Sequence, residues 1–248
     1  MSNGLYQVDF ERSSLRVLAG RIVINHLTLK PNYTVFNQLK RAGKAPNNLY
    51  TLSVDQIVFK HIHPFKLYFK NEAEVDEITI SQPKIEAVYQ ELHNHDLPDS
   101  GKKTYYERIA GTIKSLHIRQ ILLENINLRY QENVNQHIQI RHFKEIDVKA
   151  TDLLIDANSQ NDKSRFNFCK DITVIFNNYK GETPSKSYQY QAKSLTFSSS
   201  KENIKLVDAV FMPQKLAVQK LKPNVDFSFK TDSIQINQFD YQSFISYR

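Results

Sequence analysis

Between Val75 and Gln90 the chain reads VDEITISQPKIEAVYQ: apolar side chains at every second position, a break at Pro83, then the same alternation again. A period of two is the mark of a strand with one apolar and one polar face. The stretch belongs to a recurring five-residue phrase of two polar residues, Ile or Leu, any residue, then Ile, Val or Phe. Six copies are present, at Asp55–Phe59, Asp76–Ile80, Lys114–Ile118, Lys144–Val148, Lys193–Phe197 and Asp232–Ile236. A second alternating stretch follows most of them, as at Ile85, Ala87 and Tyr89, or Ile126, Leu128 and Tyr130, or Ile204 and Leu206. Each unit therefore reads as a bent or paired strand. The spacing is uneven, 21 residues from Ile57 to Ile78 but 49 from Ile146 to Leu195, which excludes a propeller or solenoid of fixed period.

One-sided strands joined by modest connections predict a mainly β chain: an elongated, strongly twisted antiparallel sheet forming a groove, with a few short helices and residues 1–248 in one domain. Two helices carry start signals. Asn32 is placed to cap a turn bearing Val35, Phe36 and Leu39, with Gly43 to end it. Thr104 and Glu107 form a capping-box pattern ahead of Ile109, with Gly111 as the stop. Polar loops are expected over residues 90–103 and 156–165.

Composition narrows the chemistry. Six glycines leave no G-x-G-x-x-G or G-x-x-x-x-G-K loop to cradle a phosphate. The net charge of +7 and pI near 9.2 favour anionic partners, but the cations come in small groups such as Lys40, Arg41 and Lys44, without an RNP-like aromatic signature, so nucleic acid is not expected. Cys169 is the single cysteine, excluding an internal disulfide and any Cys-x-x-Cys motif, and its setting in FNFCKDITVIF reads as a small packed side chain. No apolar run approaches the roughly 20 residues of a spanning helix, and the first residues lack the blocks of a signal peptide. His61 with His63, and His93 with His95, are the nearest approach to metal-ligand pairs, yet neither has an identifiable third ligand. Nucleophile motifs of the Gly-x-Ser-x-Gly and Ser-x-x-Lys kinds are missing. The expectation is a protein without catalytic residues, metal or cofactor.

What is left is the apolar face. Its candidate lining is Ile57, Phe59, Ile78, Ile80, Leu116, Ile118, Ile146, Val148, Leu195, Phe197, Ile234 and Ile236. If the sheet closes or is capped, these twelve are core; if it stays open, they line a groove for acyl chains with headgroups at a basic rim. A sixteen-carbon chain buried there releases on the order of 10 kcal/mol before ordering costs.

The segment GLYQVDFERSSLRVLAGRIVINHLTLKPN, then NYTVFNQLKRAGKAPNNLYTL, and the paired strands of IKSLHIRQILLENINLRYQ resemble the AsmA-like envelope proteins, relatives of TamB and of the bridge-like lipid transfer proteins. That resemblance implies a twisted β-groove in the Gram-negative periplasm that moves phospholipid between membranes or supports the outer membrane. It also implies phospholipid acyl chains as partners, possible envelope-protein partners, and membrane association through an inner-membrane anchor absent from this chain. On this reading the sequence is a piece of a longer anchored protein. The alternative is an envelope scaffold whose strand edges or basic face hold a protein or polysaccharide.

Overall fold

A computed structural model describes residues 4–16, 19–92, 104–134, 137–183, 185–214 and 227–240. Within them the chain is mainly β, and every strand belongs to one sheet of twelve strands. The first half contains β1 (Tyr6–Asp9), β2 (Arg12–Arg16), β3 (Arg21–Pro31), α1 (Tyr33–Arg41), β4 (Asn48–Ile62), α2 (Pro64–Lys70), β5 (Glu72–Ser81) and β6 (Lys84–Gln90). After α3 (Tyr105–Ile109) come β7 (Ser115–Val134), β8 (His137–Ile155), β9 (Asp171–Glu182), β10 (Tyr188–Ser198), β11 (Asn203–Pro213) and β12 (Phe229–Ile236). The main path runs β1-β3-β4-β5-β7-β8-β9-β10-β11-β12, with β2 on β3 and β6 between β4 and β7. Among the described residues all strands lie in this one sheet, with no second sheet, and the helices that pack on it are short: α1 sets Phe36 against Leu49 of β4, and α2 lies on β5.

The helices follow their caps. Asn32 Oδ1 accepts from the N–H groups of Thr34 and Val35 at 3.1 and 3.3 Å, and α1 then packs Phe36 against Leu5, Ala45 and Leu49. At α3 both halves of the capping box form: Glu107 N–H donates to Thr104 Oγ1 at 3.2 Å, and Thr104 N–H donates to Glu107 Oε2 at 2.7 Å. The helix α2 was not anticipated. Pro64 opens it and Asn71, left-handed at φ 58°, closes it.

Most polar doublets of the recurring phrase lie beside a bend in a neighbouring strand, and one, Lys144-Glu145, contains the bend itself. Seven strand-interior residues without being glycine take positive φ: His26, His61, Asn125, Glu145, Asp152, Asn178 and Asp208. Each stands in one local grammar, an apolar residue two places before and another immediately after, as in Phe59-Lys60-His61-Ile62, Phe143-Lys144-Glu145-Ile146 and Leu206-Val207-Asp208-Ala209. Ordinary alternation would send side chains three apart to opposite faces; the left-handed residue restores them to one face, and bulges of this kind also bend and twist the strand. Neighbouring strands match it with a doublet. Asp76-Glu77 of β5 lies alongside the bend at His61 of β4, and Lys193-Ser194 of β10 lies between Asn178 of β9 and Asp208 of β11. Asn, Asp and His tolerate this conformation better than most side chains, which is how a chain with six glycines repeatedly turns its strands.

The sheet departs from the predicted all-antiparallel pairing at one seam: β5 and β6 both pair with β7 in parallel. The cause is the link of residues 91–114, which carries α3 and returns the chain to the end of the sheet where β5 begins. Parallel neighbours need a crossover of a dozen residues or more.

Candidate functional site: an open apolar face

Strand register joins the repeats into rows. Ile24 pairs with Ile57, Ile57 with Ile80, and Ile80 with Leu123 across the parallel seam. The same row continues through Val148, Val174, Phe197 and Ile204 to Ile236. Paired residues share a face, so nine strands contribute one apolar side chain each to an unbroken track, about 38 Å long at the usual interstrand spacing. Beside it runs a second row, Ile126–Ile146–Phe176–Leu195–Leu206–Ile234. On the other flank Phe59, Ile78, Ile121 and Ala150 form a third. Beyond the bend, Ile62, Val75, Ile118 and Leu153 form a fourth, and Leu116 packs against that cluster.

The structure thus places all twelve candidate lining residues on one face. Ile78, Ile118 and Ile146 are buried, Ile236 is exposed, and the other eight are half-buried. A mid-sheet isoleucine such as Ile57 or Ile80 would be sealed in a two-layer protein; here it keeps access to solvent because no layer covers it. The polar face shows the complementary pattern. One of its rows, one residue removed from the track, reads Val23, Val58, Thr79, Leu122, Lys149, Thr173, Ser198 and Asn203, mixed at first and wholly polar beyond Leu122.

Near the C-terminal edge the face deepens into a hollow of about 510 Å³ lined by Tyr179, Tyr190, Phe211, Phe229, Leu206 and Ile234 around Ala192 and Ala209. The two alanines make it: Tyr179, Ala192 and Ala209 share one register row, so small side chains sit between rows of large ones. Tyr190 stacks on Tyr179 with ring centroids 5.6 Å apart and lies across Gly181, where any Cβ would collide with its ring. Glycine is required there by close approach. Burial, reinforced by the hydrogen bond to Tyr190, pushes the Tyr179 hydroxyl up to about 12. None of these aromatic residues was singled out by the alternation, because the hollow needs the register of four strands to exist.

Charge is gathered on the opposite face, along the bend. Glu74, 8% exposed, is held by Lys66 and by Arg119 Nη2 at 3.0 Å; Lys66 first and Arg119 next depress its carboxyl against the upward push of burial. His63 Nε2 lies 3.0 Å from Asp76 Oδ1, and Lys60 Nζ 2.5 Å from Glu77 Oε1. His63, Glu74 and Asp76 converge closely enough to share a cation, but doing so would release Lys66 and Arg119 from their carboxylates. The arrangement is an ion-pair belt. His93 and His95, the other pair noted in the sequence, lie outside the described residues. Cys169 is buried at a two-residue turn where Phe166 and Cys169 exchange backbone hydrogen bonds, and burial pushes its thiol up.

Asp152 anchors the same belt on β8: Lys170 Nζ is 2.9 Å away, His117 Nε2 2.6 Å and Arg165 Nη2 3.0 Å. Lys170 first, then His117 and Arg165, hold its carboxyl well below the usual carboxylate range, outweighing desolvation. A depressed pKa stabilises the fold fully above the unfolded value, near 4, and that stabilisation is lost as pH falls further. Asp152→Asn is expected to cost about 1–2 kcal/mol at neutral pH, since the site is only part-buried. Urea midpoints of wild type and variant should converge as pH drops below about 4; a gap that stays constant with pH would assign the effect to something other than this carboxylate.

No protein-family model and no curated protein matches the chain. Among the described residues no helix is long and apolar enough to cross a membrane.

Proposed function

We propose that this chain binds phospholipid acyl chains along its open apolar face and supports phospholipid movement between membranes of a cell envelope, without turnover chemistry. The observation that carries the reading is the unbroken row from Ile24 to Ile236. At about 38 Å it exceeds the roughly 30 Å hydrocarbon thickness of a bilayer, so it accommodates acyl chains end to end rather than a single buried ligand. Half-burial of its residues leaves apolar area for a ligand to cover, the source of the binding free energy. The resemblance to AsmA-like proteins adds periplasmic placement and anchoring at the inner membrane to the proposal.

The test is mass spectrometry of an organic extract of the protein purified without detergent. Stoichiometric phospholipid is expected; an extract free of acyl lipid, from protein that also fails to take up a fluorescent phospholipid, defeats the reading.

A second reading rests on the sheet's ends. β2 is exposed along its whole length and, among the described residues, pairs only with β3, while β12 pairs only with β11, leaving edges onto which a partner strand can add. Crosslinking at Ser13 and Gln235 that captures a protein partner, with no lipid in the extract, selects the scaffold.

A further inference from the structure

The most exposed apolar side chains of the described residues are concentrated on α2. Phe65, Tyr68 and Phe69 are 76%, 81% and 73% exposed on a helix of seven residues, with Leu67 beside them at 44%. Such rings normally collapse onto the nearest apolar surface. Here they are held away from it: Lys66 is tied to Glu74 of β5, the left-handed Asn71 fixes the exit, and Phe65 stacks on Phe69 at 6.4 Å while Tyr68 meets Phe69 edge-on at 5.0 Å. The rim beside α2 is of the same character. Lys114 N–H donates to Asn71 O at 2.7 Å, which brings the tail of α3 to α2, and α3 carries Tyr105, 59% exposed, with the Arg108 guanidinium over its ring at 5.3 Å. Lys70 and Lys114 have no ion-pair partner among the described residues, whereas the carboxylates of β5 next to them, Glu74, Asp76 and Glu77, are already paired.

We propose that α2 is a membrane-docking element: Phe65, Tyr68 and Phe69 enter the interfacial zone of an anionic phospholipid bilayer while Lys70 and Lys114 meet its headgroups. Aromatic rings flanked by lysines suit that zone, where one end of the side chain is apolar and the other wet. The net charge of +7 has the sign an anionic surface attracts. Size also favours a bilayer over a protein partner. A stable protein interface takes about 800 Å² from each side, more than four side chains on two helical turns supply, whereas a bilayer is gripped by a few anchors. The inference stands apart from the cargo reading, because these rings belong to none of the four apolar rows.

The experiment is sedimentation of the whole chain with phosphatidylcholine–phosphatidylserine vesicles at roughly 7:3, and with phosphatidylcholine alone. Wild type should sediment with the mixed vesicles, and Phe65→Ser/Phe69→Ser should weaken that binding at least about tenfold. Lys70→Glu should weaken binding to mixed vesicles by about fivefold and leave binding to phosphatidylcholine unchanged. Because the rings are exposed, the double variant keeps its melting temperature and any copurified lipid, so failure of docking and failure of cargo binding are read separately. Equal sedimentation of wild type and double variant overturns the proposal. So does ring-dependent self-association in the ultracentrifuge without vesicle binding, which would assign the patch to a second copy of the chain.

Discussion

Leu123→Asp is expected to strip acyl lipid from a protein that still folds. Leu123 sits mid-track, paired with Ile80 and Val148, and is half-buried. A carboxylate at that point keeps its water while the face is open and loses it only when an acyl chain lies over it. Even at the low end of the cost of burying an unpaired charge, about 3 kcal/mol, affinity falls more than a hundredfold. The control is its neighbour. Leu122 points to the other face between Thr79 and Lys149, where an aspartate stays wet and gains a cross-strand lysine. Leu122→Asp should therefore retain lipid. The ratio of extracted phospholipid to protein, measured alongside far-UV circular dichroism, separates the two; equal retention, or equal loss, would remove the apolar track as the binding surface.

Ile118→Asp should do something different, although it also belongs to the recurring phrase. Ile118 is 7% exposed and packs with Val75 and Ile78, with Ile62, Ile121 and Leu153 around them. Truncating such a side chain costs about 2–5 kcal/mol before the added carboxylate is considered. A total of about 4 kcal/mol or more is a large share of ordinary domain stability and corresponds to a fall in Tm of roughly 10 °C. Ile118→Val should cost only about 1 kcal/mol. Thermal melts followed by circular dichroism check both, and an aspartate variant melting within about 3 °C of wild type would show that this cluster is not packed. Loss of lipid from Ile118→Asp therefore reports on folding, while loss from Leu123→Asp reports on the face.

The contrast shows what alternation can and cannot convey. A period of two assigns side chains to faces within a strand, and the phrases containing Ile57, Ile80, Val148 and Phe197 were legible for that reason. The caps at Asn32 and Thr104 were legible because one side chain satisfies a backbone donor two or three residues away. Three features were not. Leu123, Val174 and Ile204 complete the track, but their membership depends on register with strands far along the chain. The segment Pro64–Lys70 is rich in aromatic residues suited to strands, and only the pairing of a proline at its start with a left-handed asparagine after it marks a helix. The polar doublets alone gave no sign of the bends that most of them accompany; that meaning appears only when two strands lie side by side.

The parallel seam between β5 and β7 also sets an order of assembly. The strand pairs β7–β8, β8–β9, β9–β10 and β10–β11 form between chain neighbours, and so do β3–β4 and β4–β5. Ile80 and Leu123 meet only after the intervening chain has closed on itself, at an entropic cost that hairpins avoid. Folding should show a late step in which two preformed halves dock, slower than the closing of the hairpins within either half when followed by stopped-flow circular dichroism.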